Sequence, residues 1–254
     1  LIDCCNLLIN KPNISVKELL KYLKGPDFPT GGELILNQNE KKEIYTKGRG
    51  SLTINSKWKK EVVEIAVDSS PKKILDIATG TGDIAIKLSK IKGSTIEAVD
   101  VSENMLKIAH NKIEELKINN INLKTCEAEN LVFDDNHFDI ISIGYGVRNF
   151  TNLDKGLCES YRVLKKNGKL IILETSIPEN PIIKILYKLI TTIYIPFIAF
   201  IFSKKTKAYL YLLNSTKKFP PRKKFLEILK KTGFRKIETR KKLYGASTIY
   251  IALK

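Results

Sequence analysis

The stretch "ILDIATGTGD", Ile74 to Asp83, decides the fold. Its first half is apolar enough for a buried strand, and its second half places Gly80 and Gly82 where that strand must turn sharply into a helix. Glycines there let backbone approach a ligand without a side-chain clash, and the helix that follows offers unpaired N–H donors at its start. Such a turn suits a polar, nucleotide-like cofactor. The spacing is not the GxGxxG of dinucleotide binders, because no glycine fills the third position and an acid, Asp76, sits inside the strand before the turn.

Outward from this turn the chain alternates strand and helix. "KKILDIA" and "STIEAVD" read as strands, with "GDIAIKLSK" as the helix between them and "SENMLKIAHNKIEELK" as the helix after. "INLKTC", "FDIISIG" and "GKLIILE" are further strands, and "DKGLCESYRVLKK" is the helix before the last of these. Alternation of this kind predicts a parallel, doubly wound, Rossmann-like sheet that binds small molecules at the carboxyl ends of its strands. The tail "RKIETRKKLYGASTIYIALK" predicts two strands joined by a short connection, an antiparallel hairpin.

The same sheet edge collects the candidate site. Asp100 ends the second strand, where a carboxylate can accept both ribose hydroxyl hydrogens. The third strand runs into "CEAENLVF", which brings Glu127 and Ala128 to that edge. A glycine turn or a strand-end acid alone can serve packing and helix capping. In order, within one βαβ unit, they predict cofactor binding.

Composition bounds the rest. The 254 residues suffice for a full α/β core, and the net charge of +17 points to an anionic partner or to a Lys-rich compositional bias. Cys4, Cys5, Cys126 and Cys158 have neither CxxC spacing nor a secreted-domain framework, so no metal site is expected and a reducing cytoplasm is the simplest setting. No basic, apolar and small-residue series marks an export signal at the start. "PIIKILYKLITTIYIPFIAFIF", Pro181 to Phe202, is apolar, but Lys184 and Lys188 interrupt it and Pro196 breaks its helix. It reads as a helical lid, an insertion over about residues 179–217, with one face free to touch lipid. Tyr187, Tyr194, Phe197, Phe200 and Tyr209 are expected to pack that insertion.

Together, "ILDIATGTGDIA", "DVSENML", "GYGVRNF", "ESYRVLKKNGKL", "AYLYLLNSTKKFP", "TGF" and "YGAS" resemble the ubiquinone/menaquinone biosynthesis C-methyltransferases from about Trp58 to Lys254. The first two motifs are shared by many methyltransferases; "GYGVRNF" followed by "ESYRVLKKNGKL" is far more specific. The resemblance implies a class I S-adenosylmethionine-dependent methyltransferase that methylates a ring carbon of a polyprenylated hydroquinone, a demethylmenaquinol or a ubiquinol precursor. It implies cofactor contacts from Asp76, Gly80, Thr81, Gly82, Asp100, Glu127, Ala128 and Gly144, the last standing where relatives carry Ser. Arg148 becomes the candidate for stabilising the quinol oxyanion, with Asn149 orienting it and Tyr145 lining the substrate side. A non-catalytic methyltransferase-like scaffold is the alternative.

The front departs from that family, whose aromatic-Asp pair before the Trp58 element is missing. "GPDFPTGG" and "IYTKGRGSLTI" within residues 1–57 resemble an internal stretch of the A subunit of type II DNA topoisomerases, which implies a small incomplete α+β segment, fused or joined by accident. The DNA-cleaving region is not part of it, so topoisomerase activity is not expected; a DNA-binding fragment of that subunit is the remaining alternative, ranked below both methyltransferase readings, and DNA is not the favoured partner.

Overall fold

The computed structural model describes residues 54–194 and 219–254. These fall into two units, one of Trp58–Ser176, Phe219–Lys242 and Ser247–Lys254, the other holding residues 54–57, 177–194 and 243–246. The predicted front helix "ISVKELLKYL", the turn "GPDFPTGGELIL", and Phe197, Phe200 and Tyr209 lie outside the described residues.

The larger unit is built on seven described strands: β1 (Lys73–Ile77), β2 (Thr95–Asp100), β3 (Ile121–Thr125), β4 (Phe138–Gly144), β5 (Leu164–Thr175), β6 (Arg235–Lys242) and β7 (Ser247–Leu253). Their spatial order is β3-β2-β1-β4-β5-β7-β6. Strands β1 to β5 pair in parallel, and β7 runs antiparallel to both β5 and β6. The chain winds outward from β1 through β2 to β3, returns to β4, and winds the other way. The switch point therefore lies between β1 and β4, where an open α/β sheet forms its ligand crevice. The doubly wound sheet and the closing hairpin match the reading of the sequence.

Central strands are buried on both faces, which is why they read as continuous apolar runs. On one face Leu75, Ile77, Ile141, Ile143, Leu170 and Ile172 join one packed core with Leu157, Val163, Phe225 and Leu229. Of these last four, the first two belong to helix α4 (Leu153–Val163) and the others to α6 (Arg222–Thr232). Three further helices, α1 (Ile54–Val67), α2 (Asp83–Leu88) and α3 (Glu103–Glu115), bury Val62, Ala85 and Ala109. Ser102 caps α3, its hydroxyl accepting from Met105 N at 3.4 Å, and Asn152 caps α4, accepting from Lys155 N at 3.0 Å.

One boundary differs from expectation. The helix predicted to run through Lys166 ends at Val163, and β5 begins at Leu164. The carbonyls of Arg162 and Val163 accept instead from Asn136 N and His137 N at 3.0 and 2.8 Å, so pairing with the entry to β4 takes over from the helix. Of the predicted insertion, α5 (Pro181–Leu189) and the single turn Ile190–Tyr194 are described, and residues 195–218 lie outside.

Candidate functional site

The turn after β1 is conformationally strained. Gly80 and Gly82 have φ of +58° and +78°, as glycine permits, but Ala78 has φ +53° without being glycine. Tyr145, just past the end of β4, has φ +58°. Two side-chain-bearing residues in the left-handed region thus flank the switch point, each at a cost of about 1 kcal/mol or more. Hydrogen bonds hold them there: Thr79 N donates to Val99 O at 3.0 Å, and Tyr145 N to Leu173 O at 2.7 Å.

Asp76 anchors the turn from below. It is 1% exposed and lies directly beside Ser142 in the β1–β4 pairing. One carboxylate oxygen accepts from Ser142 Oγ at 2.5 Å and the other from Thr79 Oγ1 at 2.6 Å. Burial pushes the Asp76 carboxyl up to about 6, against the opposing pull of these two hydroxyls and of Lys59.

Asp100 ties the end of β2 to the turn. Its Oδ2 accepts from Gly80 N at 2.8 Å and its Oδ1 from Ser102 N at 2.9 Å. Each oxygen retains a second lone pair, so the pair of acceptors needed for a vicinal diol survives. Thr125, at the end of β3, pairs with Asp100, and Cys126 N donates to Asp100 O at 3.1 Å. That places exposed Glu127 and buried Ala128 at the next position along the same edge.

Thr81 has a different setting from the one its motif suggests. Its hydroxyl and carbonyl both accept from Lys112 Nζ, at 2.9 and 3.1 Å, and Lys112 also donates to Asp83 Oδ1 at 2.8 Å. Lys59 takes Asp83 Oδ2 at 2.8 Å. Partial burial alone would raise the Asp83 carboxyl, but the two lysines overcome it and hold the group well below the usual carboxylate range. A lysine from α1 and one from α3 therefore latch the start of α2 beneath the glycine turn. Sequence reasoning missed both, because the lysines lie 24 and 29 residues from Asp83 in the chain.

Gly144 and Gly146 explain how closely the β4 end approaches the β1 turn. A Cβ on Gly144 would stand 2.2 Å from Ile84 Cδ1, and one on Gly146 would stand 2.5 Å from Ala78 Cβ. Serine at position 144 requires Ile84 to move, so the glycine here and Ile84 fit one another.

Arg148 sits in the short 3-10 turn Val147–Asn149. Its side chain is 6% exposed, and Nη1 donates to Glu174 Oε1 at 2.5 Å while its backbone N donates to Oε2 at 3.3 Å. Glu174 is fully buried and also accepts from Thr175 N and Oγ1. Arg148 Nε is buried with no protein partner, and the guanidinium lies 5.7 Å from the centre of the Tyr145 ring. Asn149 is exposed, and its N donates to Gly146 O at 2.9 Å. In the sequence Glu174 is legible only as an acid ending an apolar strand, "LIILE", with no local signal of its partner Arg148.

The "ESYRVLKK" motif is architectural. Arg162 donates to Glu159, to Asp135 and to the carbonyls of Leu131 and Phe133, while Glu159 accepts from Leu131 N at 3.0 Å. These bonds fix the loop that follows Glu127 and Ala128. Among the described residues, no group of His, Cys, Asp and Glu could hold a metal ion.

The residues present fit a nucleoside-bearing cofactor: a glycine turn at the switch point, a diol acceptor at the end of β2, and a strand end kept free of side-chain bulk by Gly144 and Gly146. Comparison with known proteins agrees with this geometry. A demethylmenaquinone methyltransferase of Chlorobaculum parvum is 41% identical over 80% of this chain and 84% of its own length. The protein of that name from Bacteroides fragilis is 34% identical over 80% and 84%, and a ubiquinone/menaquinone biosynthesis C-methyltransferase of Shewanella pealeana is 35% identical over 74% and 76%. Among solved structures, a SAM-dependent methyltransferase of Aquifex aeolicus matches with a TM-score of 0.57 at 19% identity, covering 86% of this chain and 98% of that one. A phosphoethanolamine N-methyltransferase 2 of Haemonchus contortus in complex with S-adenosyl-L-methionine matches with a TM-score of 0.56 at 19% identity, covering 76% of this chain and 52% of that one. At such identities these two show the fold, that of the class I S-adenosylmethionine-dependent methyltransferases. The topoisomerase resemblance of the front gains no support from the comparisons, and residues 1–53 lie outside the described residues. The match to the ubiE/COQ5 methyltransferase family runs over residues 49–254, and the chain belongs to that family.

Proposed function

We propose that this methyltransferase transfers the methyl group of S-adenosylmethionine to a ring carbon of a polyprenylated hydroquinone, and that the hydroquinone is a demethylmenaquinol. The observation that carries the cofactor half is the strained β1 turn bound through Gly80 N to Asp100, 2.8 Å away, at the switch point of the sheet. Gly80, Thr81, Gly82, Asp100, Glu127, Ala128 and Gly144 would hold the cofactor, and Asp76, buried with both carboxylate oxygens bonded to Ser142 and Thr79, would act only by holding the turn beneath it. The substrate half is supported by the names of the Chlorobaculum and Bacteroides relatives.

The cofactor, when bound, supplies an electrophilic methyl group on sulfur. The chain must align a ring carbon with it and make that carbon nucleophilic, which loss of the hydroxyl proton to solvent achieves; the ring carbon would give up its own hydrogen as a proton after the transfer, so that the methyl replaces it. We assign the resulting oxyanion to Arg148, whose charge is fixed at the end of β4 and whose buried Nε keeps a donor free of protein partners. Glu174 positions that guanidinium, and Asn149 shares its turn. A polyprenyl tail keeps the substrate in a bilayer, so the enzyme meets it at the membrane surface. No helix among the described residues is long and apolar enough to cross a membrane.

Calorimetry with S-adenosylmethionine and a labelled-methyl assay test the reading together. The wild type should bind the cofactor, Asp100→Ala should bind at least about tenfold more weakly, the loss of a charge-assisted hydrogen bond or more, and label should pass to a short-chain demethylmenaquinol. Transfer only to a benzoquinol would overturn the assigned substrate, and binding without transfer to either quinol would make the chain a scaffold.

A further inference from the structure

Helix α5, Pro181–Leu189, carries an apolar surface that stays exposed among the described residues. Asn180 caps it, Oδ1 accepting from Ile182 N at 3.0 Å and Ile183 N at 3.2 Å, with Pro181 in the first turn. The sequence "PIIKILYKL" then divides around the helix into three sectors. Ile183 and Tyr187, followed by Ile190, are half-buried or buried and line a small apolar cleft with Pro178, Leu243 and Ala246. Ile182, Ile185 and Leu189, at i, i+3 and i+7, form a second stripe that is 78%, 63% and 50% exposed, with Leu186 at its border. Lys184 and Lys188, four residues apart, are exposed and flank that stripe on the side away from the cleft.

A helix that is apolar on two of its three sectors and buries no residue of its own is unlike a surface helix of a water-soluble domain, whose outer face is polar. Its cations also constrain what can cover it. A purely apolar partner would bury both ammonium groups, whereas a lipid interface takes branched aliphatic side chains below the headgroups and lets lysine stems reach up to the phosphates. Net charge strengthens the match: at +17 the chain as a whole is attracted to an anionic surface.

We infer that α5 is a membrane-docking helix that lies in the plane of an anionic bilayer, inserting Ile182, Ile185 and Leu189 while Lys184 and Lys188 engage acidic phospholipid headgroups. This rests on the proposed lipid substrate, and it supplies the means by which that substrate is reached. Docking by this helix raises the enzyme's concentration at the surface that holds the polyprenyl quinol. It leaves the chemistry at β1 and β4 unchanged.

The test uses the full chain and vesicles of phosphatidylcholine, with or without an added fraction of anionic phosphatidylglycerol. Co-sedimentation should show binding to the anionic vesicles that weakens with salt. Ile185→Glu together with Leu189→Glu should reduce vesicle binding at least about tenfold, as expected when two inserted aliphatic side chains are replaced by acids. Lys184→Glu with Lys188→Glu should abolish the preference for phosphatidylglycerol. Turnover separates this inference from the proposed reaction. The Ile185→Glu, Leu189→Glu variant should lose methylation of a long-chain demethylmenaquinol in vesicles and keep methylation of a water-soluble short-chain one. Vesicle binding unaffected by either variant would overturn the inference while leaving the enzyme reading intact. So would a wild-type dimer that the Ile185→Glu, Leu189→Glu variant splits in the absence of vesicle binding, since a second copy of the chain would then own the face. Short-chain turnover absent from wild type, with vesicle binding intact, would count against the reaction and not against the docking.

Discussion

Asp76 accepts hydrogen bonds from Ser142 and Thr79 at 1% exposure, and burial holds its carboxyl up at about 6. A carboxyl raised on folding from 3.8 contributes stability that is complete below that value and lost as pH rises through about 6. Asp76→Asn cannot ionise, so relative to wild type its stability should improve by about 3 kcal/mol between pH 4 and 7 and then level off. Urea unfolding across that range measures the effect, and a pH-independent difference between the two proteins would contradict it. Gly144 gives a second test at this scale. Gly144→Ser should cost about 1–3 kcal/mol through overpacking against Ile84, and Ile84→Val, which removes the colliding Cδ1, should recover most of it in thermal unfolding. The Arg148–Glu174 pair gives a third. Arg148→Met leaves a buried carboxylate without its cation and should destabilise by about 3–5 kcal/mol. Adding Glu174→Gln should restore much of the stability but none of the turnover, which separates the fold's need for a neutral pair from the reaction's need for a cation.

Elements were legible to the extent that their reasons are local. Strands β1, β2 and β4 announce themselves as apolar runs because both of their faces are buried, and the turn after β1 announces itself through Gly80 and Gly82. What joins elements was not legible. Ser142 beneath Asp76, Glu174 behind Arg148, and the two lysines on Asp83 are partners across 24 to 66 residues of chain, and no spacing rule connects them. The end of α4 falls short of its helical periodicity for the same reason, since carbonyls that periodicity would assign to the helix are taken by the approach to β4. The Lys112 latch has a measurable consequence at this scale. Lys112→Ala removes three contacts to Thr81 and Asp83 and should weaken cofactor binding by about tenfold, one or two charge-assisted hydrogen bonds' worth. Lys112→Arg should restore most of the affinity, and kcat at saturating cofactor should change little in either variant. Unchanged cofactor affinity in Lys112→Ala would show that the latch does not shape the turn.

At the scale of the whole molecule, a doubly wound sheet carries the site at its switch point, and family membership extends over residues 49–254. The net charge of +17, which the cofactor site does not require, has a use in the proposed docking to an anionic bilayer. The central claim is that the methyl group leaves sulfur for carbon. Carbon-13 NMR of the product formed from methyl-labelled S-adenosylmethionine and a short-chain demethylmenaquinol tests it most directly. The account predicts a single labelled methyl on the naphthoquinol ring, absent with Asp100→Ala at low cofactor concentration. A labelled methoxy group, or label found in no quinol at all, would contradict it.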